Sequence, residues 1–380
     1  MKFSFNPSPN YRKKQSTTDI MRDLTIALVA VLTFAAIWYG VSYGLAGRVI
    51  LMTVFAVGAA MLTETAYFAI TKSEHILHDV LHSYGWVTAL IMVLITRIDV
   101  SYYAMVVSVV VAIVFVKLVF GGFGQNIFNP AAFGAALIMN TFASSTAPEV
   151  TSTVLSGATP MATMGSVGWA ANASVLDNVI NSVGGLGNMF MGNYASVIGG
   201  SCALVIIAAA AYLIYKQVID WRLTVPYVAT IFVVSLIVGL VHGSGINFAL
   251  FNVLGGGVLF GAVFMITDPV TTPVTNAGKV IFAICCGALT LLIRWKAALP
   301  DGVLFSILLM NMLTPAIDKV CDGSQVKDGG KIKKKVCIIS AIAVAVALFT
   351  GITLKPVEKE ETAFSAPAAE IASVEVTETR

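Results

Sequence analysis

The chain has 380 residues, of which 57% are hydrophobic and only 11% are charged. Soluble globular domains carry about 25% charged residues, so this composition excludes an ordinary soluble domain and predicts an integral membrane protein. The formal net charge of +3 is too small to indicate a nucleic-acid partner.

Apolar segments follow one another along the chain, and most approach the roughly 20 residues that a helix needs to cross a bilayer. Residues 1–23 are polar and basic and are predicted to form a cytoplasmic N-terminal segment. A first block, 24–142, holds five apolar segments, at about 24–44, 48–71, 84–96, 101–120 and 127–142. A second block, 194–320, holds five more, at about 194–215, 223–241, 247–267, 279–296 and 301–319.

Three stretches lie outside these blocks at the C-terminal end. Residues 321–335 are predicted to form a basic cytoplasmic loop, and residues 336–354 an additional transmembrane helix. Residues 355–380 are rich in Glu, Ala, Pro, Ser and Thr and are predicted to be a disordered tail.

The positions of Lys and Arg predict the orientation of the chain, because cytoplasmic loops are enriched in these residues. Lys117 is assigned to such a loop, and the six Lys residues between positions 319 and 335 give the strongest signal. The polar loop 143–193 has no Lys or Arg and is predicted on the extracytoplasmic side. Four basic residues run against this scheme: Arg48, Arg97, Arg294 and Lys296.

The two blocks resemble each other in sequence. Residues 129–140 match residues 300–311 in hydropathy and both stretches end in Met-Asn, while residues 79–96 resemble residues 252–267. A unit with an odd number of spans inserts in the opposite orientation when it is repeated. The matches therefore predict an inverted repeat, an architecture found in many transport proteins.

Two acidic residues are candidates for an ion path. Glu64 lies deep in the second segment, where a charged side chain costs about 2.5–3.5 kcal/mol on insertion scales. It serves either an ion or proton path or a structural hydrogen bond to a neighbouring helix, and the sequence leaves both open. Asp268 lies in the Pro-rich turn 267–273, which contributes either to a site or only to a helix connection.

No other constellation indicates chemistry held by this chain alone. The five Cys residues form no C-x-x-C pair, so neither a metal site nor an iron–sulfur cluster is predicted. No nucleophile–base arrangement is evident, and no residue is assigned a catalytic role. Glycines at 121–124 and 255–257 are predicted to break helices that line a cavity rather than to bind a dinucleotide.

The polar loop contains the stretch Ser156-Gly157-Ala158-Thr159. It resembles the flavinylation motif of the family that includes the D subunit of the Rnf ion-translocating electron transport complex. The B subunit of the sodium-pumping NADH:quinone reductase belongs to the same family. Within about residues 6–320, the resemblance is also carried by 126–130, 266–271, 300–303 and 309–312.

The resemblance implies that FMN is joined to Thr159 through a phosphoester, with Ser156, Gly157 and Ala158 completing the motif. It also implies riboflavin as a second, non-covalent flavin and an FMN transferase as the modifying enzyme. The partners would be Rnf subunits that carry another flavin and iron–sulfur clusters. Electrons would pass between ferredoxin and NAD⁺, coupled to Na⁺ or H⁺ transport. Thr153 stands where the family motif commonly has an acidic residue.

The expected fold is an all-α integral membrane protein of about ten transmembrane helices, arranged as two inverted five-helix repeats plus the extra C-terminal helix. It is expected in the cytoplasmic membrane. The short N-terminal segment favours the Rnf-type subunit over its relative in the quinone reductase, which stays an alternative. A solute channel or transporter is the other alternative, because such proteins share inverted repeats and Gly-broken helices.

Overall fold

A computed structural model describes most of the chain: residues 15–145, 160–166, 168–169, 173–192, 194, 196–200, 202–297, 302–322 and 329–354. Within these ranges the regular structure is helical, apart from one isolated β-bridge between Arg97 and Val197. Seven helical stretches are long and apolar enough to cross a membrane, and one of them, Ile76–Ile95, consists of two successive helices. The predicted class, an all-α multi-pass membrane protein, is therefore confirmed.

Each predicted segment of the first block contains a helix. The elements are α1 (Thr17–Tyr43), α2 (Ala46–Ile70), α3 (Ile76–Ser83), α4 (Gly85–Ile95), α5 (Tyr102–Val111), its π-helical continuation (Ala112–Leu118) and α6 (Pro130–Thr141). A capping box starts α1, since Ser16 and Asp19 each accept a hydrogen bond from the backbone N–H of the other. The helix ends at Gly44, whose φ of 71° is left-handed and suits glycine.

The polar loop contributes three short helices to the described part of the chain, α7 (Pro160–Ser166), α8 (Ala173–Ser182) and α9 (Leu186–Met191). The second block then contains α10 (Ala203–Tyr215), α11 (Trp221–His242), α12 (Gly245–Leu254), α13 (Val258–Phe264), α14 (Asn276–Lys296) and α15 (Val303–Cys321). The additional helix, α16 (Gly329–Ile352), begins several residues earlier than the predicted span, so that its first turns carry Lys residues.

The number of spans stays a prediction. The seven long helical stretches become eight if α12 and α13 are one broken span, and α5 with its π-helical continuation, like α10, is apolar but shorter. Short apolar helices are tolerated in membrane proteins where neighbouring helices cover their ends. The repeat boundaries at 24–142 and 194–320 likewise stay predictions.

A helix break lies at the start of the third segment of the first block and within the third segment of the second block. Tyr84 separates α3 from α4 and has a left-handed φ of 54°. In the second block, the glycines at 255–257 separate α12 from α13, and these two helices meet at an angle of 52°. The predicted helix break at these glycines is confirmed, and its counterpart lies at the same ordinal position in the first block.

The two blocks pack against each other where their half-helices α4 and α13 meet. Gly199 lies at this junction, and a Cβ added there would approach Leu94 of α4 to 2.8 Å and Phe260 of α13 to 2.9 Å. Only glycine therefore permits this approach of the backbone. Apolar side chains of the polar loop, including Met161 and Leu176, join the same buried core.

Candidate functional site

A buried ion pair lies at the break of the first block. Lys117 Nζ donates a hydrogen bond of 2.8 Å to Glu64 Oε1, and Ser83 Oγ donates one of 2.7 Å to the same oxygen. The Glu64 side chain is fully buried, and that of Lys117 is 3% exposed. A carboxylate and an ammonium group can be buried together because each neutralises the charge of the other.

Lys117 also binds the backbone at the end of α3. Its ammonium group donates a short hydrogen bond to the carbonyl of Ser83, the last residue before the break at Tyr84. Cations are favourable at the C-terminal end of a helix, where carbonyl groups lack intrahelical partners. The Glu64 carboxylate in turn lies at the N-terminal end of α4, where a Cβ on Gly85 would come within 2.5 Å of Oε2. Anions are favourable at that end of a helix.

The assignment of Lys117 to a cytoplasmic loop was wrong. The residue lies in the π-helical segment, in which Val119 N donates to Val114 O at 2.9 Å and Gly122 N donates to Lys117 O at 2.9 Å. A π-helix has a wider turn than an α-helix, so it shifts the direction of every side chain beyond it. Lys117 consequently points into the protein. The only sequence signal for this interior position was a single basic residue at the end of an apolar run.

A second buried cation lies at the break of the second block. Arg294 is fully buried in α14 and donates hydrogen bonds to the carbonyls of Asn252, at 2.8 Å, and Gly255, at 3.4 Å. Like Lys117, it comes from the fourth span of its block and binds carbonyls at the break of the third. Sequence reasoning placed this arginine on the outer side of the membrane. Its burial explains why it does not act as a topology signal in a loop.

The other arginines that ran against the orientation scheme are also used in internal contacts. Arg48 donates to the carbonyls of Ile98, at 2.7 Å, and Val100, at 2.9 Å. Arg97 pairs with the buried Asp99 at 2.7 Å. These two arginines hold the end of α4 and the following loop. The orientation of the chain stays a prediction.

A cavity of about 80 Å³, lined mostly by apolar side chains and by a smaller set of polar ones, lies between the two blocks. It is large enough for several waters, since one water needs about 10–15 Å³ measured in this way. Its polar lining includes Thr88, Lys117, Asn126, Asn129 and Asp268. The cavity therefore brings together Asp268 and the partner of Glu64, two positions that lie far apart in the sequence.

Two of the stretches that carried the family resemblance meet at this cavity. Asn129 caps α6 by accepting hydrogen bonds from the N–H groups of Ala131 and Ala132, at 3.0 and 3.1 Å. Its side-chain amide donates to the carbonyl of Met265 at 3.2 Å, which links the stretch 126–130 to the stretch 266–271. The resemblance thus identified residues that form one structural unit.

Asp268 is held in a turn at the edge of the cavity. Its carboxylate accepts hydrogen bonds from the N–H of Val270, at 3.2 Å, and the hydroxyl of Thr271, at 3.3 Å. Its backbone carbonyl accepts a third from Thr272, at 2.9 Å. These bonds fix the turn. Asp268 also lines the cavity, which a residue in a simple helix connection would not do.

The predicted flavin motif, Ser156 to Thr159, lies outside the described residues. The structure begins again at Pro160, which is buried at the start of α7. Met161 of α7 packs onto Gly255 so closely that an added Cβ on that glycine would collide with its methyl group. Trp169, after α7, is buried with its ring centroid 5.8 Å from the Arg294 guanidinium carbon. The polar loop is therefore docked on the break of the second block.

These features define a class: a multi-pass membrane protein whose two helical blocks line a shared cavity and each place a buried cation at a helix break. Comparison with known proteins gives the family. The model of the NQR2, RnfD, RnfE family matches residues 4–327, and the chain belongs to this family. The family resemblance inferred from the motifs is confirmed.

Individual relatives are similar over nearly their whole length. The chain is 32% identical to the D subunit of the proton-translocating ferredoxin:NAD(+) oxidoreductase complex of Clostridium ljungdahlii, over 83% of this chain and 94% of the relative. It is also 32% identical to the D subunit of the Na(+)-translocating ferredoxin:NAD(+) oxidoreductase complex of Acetobacterium woodii, over 84% and 93%. A third relative, the D subunit of the ion-translocating oxidoreductase complex of Ectopseudomonas mendocina, is 31% identical over 82% and 92%.

Proposed function

We propose that the protein is the membrane flavoprotein subunit of an ion-translocating ferredoxin:NAD⁺ oxidoreductase complex. Its FMN would be joined to Thr159 through a phosphoester, and electron transfer would be coupled to transport of Na⁺ or H⁺. The observation that carries this proposal is the Ser156–Thr159 motif in a chain whose relatives are named as D subunits of such complexes.

The residues next to the motif are compatible with an FMN at Thr159. Gly255 leaves space for the Met161 side chain, and this contact anchors α7 immediately after the acceptor threonine. FMN would supply reversible transfer of electrons. The chain would supply the acceptor hydroxyl and the anchored helix. It would also supply the fixed positive charge of Arg294, which contacts the same loop. A positive charge favours the more negative, reduced form of a group held nearby.

The central cavity supports an ion route through the subunit. Lys117 and Asp268 both line it, and Glu64 is bonded to Lys117. An ion or proton that binds beside Glu64, Lys117 and Asp268 would change which of these three charges neutralise each other. Glu64 and Asp268 therefore remain the proposed ion-path residues, and Lys117 joins them. The choice between Na⁺ and H⁺ is left to experiment, since the relatives are named for each of the two ions.

The proposed complex would supply the other redox cofactors. Electrons would pass to and from cofactors on neighbouring Rnf subunits, which include iron–sulfur subunits and another flavin-carrying subunit. An FMN transferase would attach the flavin. We place the protein in the cytoplasmic membrane with its N-terminus in the cytoplasm and the 143–193 loop outside.

The test is in-gel flavin fluorescence of the denatured chain, produced in a host that supplies the FMN transferase. We expect a fluorescent band for the wild-type chain and a dark band for Thr159→Ala. Thr163→Ala, which removes a hydroxyl one helical turn further on, is the matched control and should stay fluorescent. A dark wild-type band, or equal fluorescence in Thr159→Ala, would reject the assignment.

Riboflavin is proposed as a second flavin on the resemblance alone. Extraction of the native membrane protein with acid, followed by chromatography, would release non-covalent riboflavin and leave covalent FMN on the chain. The quinone reductase alternative is separated by activity: the purified complex should reduce NAD⁺ with reduced ferredoxin and should not need a quinone. The opposite preference would favour the sodium-pumping NADH:quinone reductase.

A further inference from the structure

An apolar groove lies between α14, α15 and α16, away from the central cavity. Its volume is about 370 Å³, within the range of about 300–1,000 Å³ that is usual for small-ligand sites. The groove is lined by apolar side chains and one thiol, which include Ile281, Cys285, Leu313, Val320, Ile339 and Ala343. Leu313 and Val320 are exposed, so the groove opens to the surroundings of the helices.

Helix α16 packs tightly against the second block near its C-terminal end. Near that end Gly351 lies so close to α11 and α14 that an added Cβ would collide with Val238 and approach the Trp295 ring to 2.7 Å. The carbonyl of Gly351 also lies 3.3 Å from His242 Nε2. Toward the start of α16 the lining residues are Ile339 and Ala343, where space separates the helices.

The open end of the groove is positively charged. Lys333, Lys334 and Lys335 are exposed in the first turns of α16, and Lys319 is exposed in the last turn of α15. Lys335 lies near the end of α15, where its charge interacts with the thiol of Cys321. It precedes Ile339 by one helical turn, or about 6 Å along the axis.

Acidic groups at this end do not cancel the lysines. Asp318 accepts hydrogen bonds from the N–H of Val274 at 3.1 and 3.4 Å, which commits its carboxylate to the turn before α14. Asp322 follows α15. Among the side chains described at this end, those of Lys319, Lys333, Lys334 and Lys335 outnumber those of Asp318 and Asp322, so a net positive charge stands beside an apolar groove.

We propose that this groove binds a phospholipid with an anionic headgroup. Its acyl chain would lie between α14, α15 and α16, and its phosphate would contact the lysines at the start of α16. Basic pockets between transmembrane helices recognise acidic headgroups, and each Lys near an anionic surface contributes about 1 kcal/mol.

The site does not depend on the flavin or on the ion route. Helix α16 lies beyond residue 327, where the match to the family model ends. The lipid would join this additional helix to α14 and α15.

The test measures binding of dioleoyl-phosphatidylglycerol to the full-length, detergent-purified protein by native mass spectrometry, with dioleoyl-phosphatidylcholine as the neutral competitor. We expect the wild-type protein to retain the anionic lipid preferentially. Lys333→Gln/Lys334→Gln/Lys335→Gln should lower its affinity about a hundredfold, equivalent to about 3 kcal/mol at 1.4 kcal/mol per tenfold change.

A pair of variants separates the groove from general lipid contact. Ala343→Phe fills the groove and should abolish retention, whereas Ala345→Phe places the same ring on the exposed face of α16 and should leave it unchanged. Circular dichroism and gel filtration check that both variants are folded. Equal retention of the two lipids by the wild-type protein, or equal effects of the two Phe variants, would overturn the proposal.

Discussion

Replacement of Lys117 by Met should strongly destabilise the protein, because it leaves the Glu64 carboxylate buried without its counter-charge. In the wild-type protein Glu64 Oε1 receives hydrogen bonds from Lys117 and Ser83, while Oε2 has no partner among the described residues. After the substitution only the Ser83 hydroxyl remains. The carbonyl of Ser83 also loses the ammonium group that binds it.

The expected loss is about 3–5 kcal/mol, the usual cost of removing one partner from a buried ion pair. Replacing both partners should be far less harmful. In Glu64→Gln/Lys117→Met the amide can still accept the hydrogen bond from Ser83 and no buried charge remains, so the double variant should recover at least about 2 kcal/mol of the loss.

The free energy of unfolding would be measured in mixed micelles of a mild detergent and sodium dodecyl sulfate, followed by circular dichroism. Lys72→Met, which removes an exposed Lys after α2, is the matched control and should change stability by less than about 0.5 kcal/mol. If Lys117→Met costs no more than about 1 kcal/mol, the pair behaves like a surface salt bridge and the reasoning fails. The same conclusion follows if the double variant is no better than the single one.

Two further predictions concern the second block. Arg294→Gln should destabilise the protein by about 1.5–3 kcal/mol for each charged hydrogen bond lost. It should also increase hydrogen exchange in residues 160–169, because Trp169 packs against the arginine. Hydrogen-exchange mass spectrometry of Arg294→Gln, with Lys296→Gln as the control, checks this. Burial raises the pKa of Asp220, but hydrogen bonds from Lys279 and from the N–H of Arg222 outweigh it and hold the pKa below its usual value. Its stabilising effect is therefore present above the unfolded pKa of about 3.9 and is lost as pH falls through the folded value, so wild type and Asp220→Asn should differ at pH 6 and converge at low pH in thermal unfolding curves.

Hydropathy predicted the helices well because the bilayer imposes one simple requirement, a run of apolar residues that satisfies its own backbone. The glycines at 255–257 also indicated a break in the helix, because glycine weakens helices. Tyr84 gave no such signal. Its left-handed conformation lies beside the buried Glu64–Lys117 pair, and a contact between residues so far apart in the sequence is not visible in a local pattern.

The candidate site was predictable only in part. Glu64 and Asp268 were noticeable because charges are expensive inside a membrane, and the structure places Asp268 and the partner of Glu64 at one cavity. Lys117 and Arg294 were misread as topology signals, because a count of basic residues does not reveal which way a side chain points. Thr159 depended on resemblance, since a hydroxyl in a polar loop carries no physical signature of its own.

The π-helical turn at Ala112–Leu118 makes the interior charge of this protein depend on chain length as well as on residue type. If these residues formed a regular α-helix without any change in their number, every later side chain of that span would rotate by about 100°. Lys117 would then exchange the protein interior for lipid. The extra residue that the π-helical turn accommodates therefore keeps the cation beside Glu64.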